Sequence, residues 1–156
     1  MIEVAIPGRQ IYRLNYLVLD LNGTVTLDGN VIYGVVERLH ALSKLLDVYV
    51  ITADTLGGAQ EITKNLGVKI HKVKSGEEEN QKLRFVQQLG RENVVAIGNG
   101  SNDVAMLRES VLGICVIGPE GAAGEAINCS DLVITSINEA MDLILKPSRL
   151  MATLRK

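Results

Sequence analysis

Short apolar, β-branched runs alternate along this chain with longer segments in which apolar residues recur every three or four positions, and Gly, Asn or Asp stands at most boundaries. Runs too short for helices are expected to be strands at 16–20, 48–52, 68–72, 93–98, 112–117 and 132–135. Between them Val35, Leu39, Leu42 and Leu46 share one helical stripe, and Leu83, Val86 and Leu89 share another. Alternation of this kind predicts a doubly wound α/β fold, a mainly parallel sheet with helices on both faces. Ahead of the first central strand, two alternating segments flank Pro7-Gly8 and read as an N-terminal hairpin over about residues 1–15. A second hairpin is expected over 24–32 around Asp28-Gly29, and a short C-terminal helix over about 147–156. No repeat, low-complexity stretch or linker interrupts the pattern, so residues 1–156 are expected to form a single domain.

Composition narrows the function classes. The chain is 47% hydrophobic and 22% charged, an ordinary globular balance, and its net charge of -2 supplies no field for a nucleic-acid backbone. No nucleic-acid partner is expected, and a small anionic substrate would have to be caught by local groups. No apolar run reaches the roughly 20 residues needed to span a bilayer, and the N-terminus lacks the regions of a signal peptide. No membrane association is expected, and the expected location is cytoplasmic. Cys115 and Cys129 form no CxxC pair or His-flanked cluster and are expected to be reduced core residues.

In an open parallel sheet ligands bind beyond the carboxyl ends of the strands. Three polar ends carry candidate chemistry here. Asp20 closes the run Tyr16-Leu17-Val18-Leu19 and is followed by Leu21-Asn22-Gly23-Thr24. Thr52 closes the next run, and with Ala53 and the small pair Gly57-Gly58 could seat a phosphate at a helix N-terminus. The loop Gly98-Asn99-Gly100-Ser101-Asn102-Asp103 gathers oxygen side chains suited to a hard cation. Taken singly, each has a plainer reading: a strand-end Asp is ordinarily a turn or cap residue, and the 98–103 loop could be a simple turn or half of a dinucleotide fingerprint. The joint, ordered occurrence of an acid, a hydroxyl, a lysine and an oxygen-rich loop is what favours a reactive site.

These residues also carry a resemblance. LDLNGTVT resembles motif I of the haloacid dehalogenase-like (HAD) superfamily, VITADT its motif II, and IGNGSNDVAML its motif IV as found in P-type ATPases and phosphoserine-phosphatase-like enzymes. The likeness extends through VLGICVIGPEGAAGEAINCSDLVI to about residue 134, and is strongest to small soluble proteins similar to the P-type ATPase phosphorylation domain. It implies that Asp20 is a nucleophile forming an aspartyl-phosphate and that Thr52 holds a phosphoryl oxygen, with Gly23 and Ala53 beside the phosphate. It further implies that Mg²⁺ sits among Asp20, residue 22, Asn99 and Asp103. The motif III lysine would be Lys82, with Lys74 the second choice.

Two departures stand out. Asn22 occupies the usual acid-base aspartate position and Asn99 the main motif IV ligand position. An amide cannot carry the proton, so turnover is expected to be slow, and metal affinity is expected to be reduced. A non-catalytic or regulatory phosphate-binding module is the alternative. Only 27 residues lie between Thr24 and Thr52, and 29 between Thr52 and Lys82, which leaves no room for a large cap domain. Capless relatives take large substrates or borrow a lid from a neighbouring subunit, so the expected partners are a phosphorylated small molecule or macromolecule and a second copy of the chain.

Overall fold

The computed structural model describes residues 1–53, 64 and 67–156. An antiparallel hairpin, β1 (Ile2–Ala5) and β2 (Ile11–Leu14), leads into the first central strand, β3 (Tyr16–Asp20). A second hairpin follows, β4 (Thr26–Leu27) and β5 (Asn30–Val31). Its two turn residues, Asp28 and Gly29, both have positive φ, 51° and 79°, the condition of a type I′ turn. Beyond it come helix α1 (Val35–Ser43) and strands β6 (Asp47–Thr52) and β7 (Lys69–Lys72). Helix α2 (Glu78–Leu89) leads to β8 (Val94–Gly98), and α3 (Val104–Glu109) to β9 (Leu112–Val116). The chain ends with α4 (Gly124–Cys129), β10 (Leu132–Ile134), α5 (Ile137–Leu145) and α6 (Pro147–Leu154).

Six strands pair in parallel in the order β10-β9-β8-β3-β6-β7. The chain therefore winds outward from β3 through β6 to β7, then crosses to the other side of β3 for β8, β9 and β10. The strand order reverses between β3 and β8, and the crevice at their carboxyl ends is where such sheets bind ligands. All six expected strands are present, with no end displaced by more than one residue. No large cap is inserted among the described residues.

Because side chains alternate along a strand, each central strand feeds two cores. Leu17 and Leu19 of β3, with Val95 and Ile97 of β8, join α1, α5 and α6 in one buried cluster. Val18 of β3 and Val94 and Ala96 of β8 face the other way, into a cluster with Phe85 and Val86 of α2 and Met106 and Leu107 of α3. The α1 stripe of Val35, Leu39, Leu42 and Leu46 is buried as its spacing predicts. On α2 the phase differs from the expected one. Leu83 and Leu89 are only half-buried, while Lys82, Phe85 and Val86 face the sheet. The His71 ring stacks on Phe85 at 3.8 Å and Tyr49 meets it edge-on at 5.1 Å, so the single phenylalanine, not Leu83, anchors the helix.

This phase is testable by urea denaturation. Phe85→Ala is expected to lower the unfolding free energy by about 3–5 kcal/mol, and Leu83→Ala by less than half as much; equal costs would refute the assignment of the buried face.

Candidate active site

The alternation along β3 aims Asp20 at the α2 side, in step with Val18. On α2, Lys82 lies three and four residues before the buried Phe85 and Val86, and so points at the same crevice. Its ammonium donates to Asp20 Oδ1 at 2.8 Å and to Asp103 Oδ1 at 2.7 Å, with Asn102 Oδ1 at 3.3 Å. Lys82 is 2% exposed and Asp103 not at all, so this is a buried triad and not a surface ion pair. The second Asp103 oxygen accepts the backbone N–H groups of Asn99 and Gly100, both at 3.0 Å, and staples the loop after β8 into shape. Gly98 is required for that approach, since a Cβ there would lie 2.6 Å from Asp103 Cγ.

On the opposite side of Asp20, the Thr24 hydroxyl stands between Asp20 Oδ2 at 3.5 Å and Asn99 Oδ1 at 3.2 Å. Asn99 Nδ2 donates to the Gly121 carbonyl at 3.2 Å. That bond fixes the amide with its oxygen toward the Thr24 hydroxyl. Thr52 is buried at the end of β6, one residue beyond Ile51, the sheet partner of Asp20, and Ala53 follows half-buried. The expected helix start at Gly57-Gly58 lies outside the described residues.

Other candidates separate. Lys74 is exposed and does not reach Asp20, so the structure brings Lys82 rather than Lys74 to the carboxylates. The Asn22 side chain is exposed at the mouth of the crevice. The Gly23 N–H is donated to the Thr26 carbonyl at 2.8 Å and is not offered to a ligand, unlike a phosphate-cradling amide. Sequence reasoning passed over Glu120. Its carboxylate lies against Gly23, whose φ of 77° and missing side chain make room for it.

Burial, and then the nearby charge of Asp103, push the Asp20 carboxyl up to about 7 from 3.8, against the opposing charge and hydrogen bond of Lys82 and the N–H of Leu21. Burial would pull Lys82 down, but the charges of Asp20 and Asp103 and its hydrogen bonds to both hold it above the ordinary lysine value. One lysine thus leaves two buried carboxylates short of positive charge, and a further cation would suit the site. No cluster of three or more His, Cys, Asp or Glu residues forms a metal cage among the described residues. A cation would have to be held by Asp20 Oδ2, Asn99 Oδ1 and the carbonyl of residue 22. Such all-oxygen donors fit Mg²⁺.

A family profile described as haloacid dehalogenase-like hydrolase matches residues 6–110, well over half of the chain. The chain belongs to the haloacid dehalogenase-like hydrolases. Within the described part of this hydrolase, no helix is long and apolar enough to cross a membrane. It is 46% identical over 92 residues to an uncharacterized protein of Methanocaldococcus jannaschii, a match covering 56% of this chain and 99% of that protein. It is 30% identical over 105 residues to a chloroplastic copper-transporting ATPase of Arabidopsis thaliana, covering 63% of this chain but only 11% of the ATPase. Among solved structures, it resembles 3-deoxy-D-manno-octulosonate 8-phosphate phosphatase of Moraxella catarrhalis, crystallised with magnesium, phosphate and the KDO molecule. The TM-score is 0.70 at 22% identity, covering 91% of this chain and 94% of that one. At that identity the likeness is one of fold.

The raised carboxyl has a thermodynamic consequence. Because Asp20 binds its proton more tightly folded than unfolded, it contributes most to stability at low pH, and that contribution is lost as pH rises from about 4 toward 7. In chelator at pH 8, Asp20→Asn is expected to be more stable than the wild type, by roughly 1–3 kcal/mol, with the gain shrinking at pH 5. A destabilised Asn variant at pH 8 would show that Lys82 more than offsets the burial of the carboxylate.

Proposed function

We propose that this hydrolase is a Mg²⁺-dependent phosphohydrolase or phosphotransferase that forms an aspartyl-phosphate on Asp20 and releases it slowly. The observation that carries this reading is the buried Lys82 held between Asp20 and Asp103 at the point where strand order reverses. In the first step an Asp20 oxygen attacks the phosphorus of a phosphate ester or anhydride, and the bond to the leaving oxygen breaks. Lys82 offsets the charge of the nucleophile and of the transferring group, and its grip on Asp20 Oδ1 leaves Oδ2 for attack or for metal. Thr52 is assigned to a phosphoryl oxygen beside it, with the backbone at Ala53. Mg²⁺, when bound at Asp20, Asn99 and the carbonyl of residue 22, supplies electrostatic stabilisation of phosphoryl oxygens. Asp103 acts on the site by holding Lys82 and the 98–100 backbone.

In the second step water attacks phosphorus, the bond to Asp20 breaks and inorganic phosphate leaves. Asn22 cannot take the proton from that water, so hydrolysis is the slow step. The copper-transporting ATPase and the KDO 8-phosphate phosphatase support the chemistry in general terms, and the substrate is a phosphorylated small molecule or macromolecule entering an uncapped cleft. The 26–31 hairpin and a second copy of the chain are the lids at hand. Asn22 and Asn99 favour a second reading, a regulatory module that binds phosphate without turnover.

Intact-mass analysis after incubation with p-nitrophenyl phosphate or acetyl phosphate and Mg²⁺ separates the two. Wild type is expected to gain one phosphoryl group, sensitive to hydroxylamine, and Asp20→Asn none. Phosphate binding without any covalent adduct would leave only the regulatory module. In single-turnover decay, Asn22→Asp is expected to lose the acyl-phosphate on the order of 10²-fold faster; unchanged decay would remove Asn22 as the cause of slowness. Lys82→Ala should abolish adduct formation while Lys74→Ala retains it, and the reverse order would reassign the lysine.

A further inference from the structure

The two amides at the proposed site, Asn22 and Asn99, are each followed by glycine, and they form the two Asn-Gly pairs of the chain. This dipeptide is chemically labile. The glycine backbone nitrogen, having lost its proton, attacks the side-chain carbonyl carbon of the asparagine; a new C–N bond forms, the bond to the side-chain nitrogen breaks and ammonia leaves. Water then opens the cyclic imide. Where it breaks the new C–N bond the residue becomes aspartate with an ordinary backbone, and where it breaks the original peptide bond it becomes isoaspartate. The ring closes only if the glycine N–H is free to ionise and the asparagine side chain is free to turn back onto it.

The fold treats the two pairs differently. At Asn99 both conditions fail. The Gly100 N–H donates to Asp103 Oδ2 at 3.0 Å, and Asp103 is fully buried and paired with Lys82 at 2.7 Å, so a nitrogen anion at Gly100 would face a buried carboxylate. The Asn99 side chain is also held at both ends, by the Thr24 hydroxyl at 3.2 Å and the Gly121 carbonyl at 3.2 Å. Asn22 is held more loosely. Its side chain is exposed and makes no hydrogen bond to the described residues. The Gly23 N–H has one acceptor, the neutral Thr26 carbonyl at 2.8 Å, at the base of a hairpin whose ladder is two residues long on each strand. A ladder so short has marginal stability of its own and opens locally. Glu120 lies against Gly23, but it is solvated and takes no bond from that N–H.

We propose that Asn22 is a site of spontaneous covalent modification in the folded protein, losing its amide to become aspartate while Asn99 is kept as the amide. The aspartyl product supplies at position 22 the proton carrier whose absence makes phosphate release slow, a consequence that rests on the reading of Asp20 given above. A chain folded with a slow site thus acquires a faster one with age, through a change at one amide and not at the other.

The test incubates the full chain at mildly alkaline pH, folded and in urea, and follows residues 22 and 99 by peptide mapping with mass spectrometry. In urea the two sites are expected to convert at similar rates, since each precedes glycine. In the folded chain Asn22 should convert faster than Asn99, on the order of 10-fold, the factor by which a hydrogen bond to a charged acceptor outweighs one to a neutral acceptor. Aged samples are then loaded with acetyl phosphate and Mg²⁺. Acyl-phosphate decay should show a fast phase whose amplitude follows the aspartate content at 22, absent from fresh protein and from aged Asn22→Gln, whose longer side chain closes such a ring far more slowly. Equal conversion of 22 and 99 in the folded chain overturns the proposal, and so does an unchanged Asn22 over several times the interval in which the unfolded chain converts. Conversion at 22 without a fast phase overturns the acid-base consequence. Failure of any acyl-phosphate to form overturns the reading of Asp20, while the mapping still decides the modification.

Discussion

A buried lysine between two buried aspartates is the interaction on which this molecule's reactive end depends. Removing charged groups from water costs several kcal/mol each, and the loss is recovered only where geometry and extra hydrogen bonds are good. Lys82 meets that condition with two short contacts to Asp20 and Asp103, and Asp103 with two further N–H donors. The triad joins three separate pieces of chain: the end of β3, the middle of α2 and the loop after β8. Taking away Lys82 strands two carboxylates in the interior, the costly side of such an arrangement, whereas taking away Asp20 leaves Lys82 and Asp103 as a balanced pair. The triad binds the site together more through the penalty of breaking it than through the energy of making it.

Topology makes this junction possible. Parallel strands place all their carboxyl ends on one edge, and the reversal between β3 and β8 leaves a gap there that no crossover fills. Strand alternation then decides which side of the sheet each side chain serves. Asp20 falls on the α2 side, so a helix from that face can deliver a cation to it, while the opposite face remains an apolar core under α1, α5 and α6. The Thr24 hydroxyl, shared between Asp20 and Asn99, links the nucleophile loop with the loop after β8 on the other side.

Much of this is legible in the sequence. Short apolar runs ending in polar residues gave all six central strands, and the place of Asp20, Thr52 and Asn99 at strand ends follows from them. The α2 stripe was less clear, because Leu83, Val86 and Leu89 share a spacing that looks apolar enough. The helix is rotated instead to bury Phe85, the larger ring, and carries Lys82 inward with it. A lysine in phase with Phe85 and Val86 was the available signal. Glu120 had no local signal at all. Its position depends on a turn folding back onto Gly23 from almost a hundred residues away, and a glycine that is empty for the sake of a distant side chain looks in sequence like any turn glycine.

The Asn99 amide has a consequence for how this sequence can change. Its nitrogen donates to the Gly121 carbonyl while its oxygen accepts from Thr24, so both ends of the group are specified and they are chemically different. An aspartate at 99 would turn a carboxylate oxygen toward that carbonyl, two acceptors facing each other without a proton between them. Single-step replacement of the amide is therefore obstructed by a loop 22 residues downstream, whatever the acid would do for the cation. An acid at 99 therefore calls for a different course of the 118–121 turn, so the turn and residue 99 are coupled, and the amide fits its neighbour as much as the site.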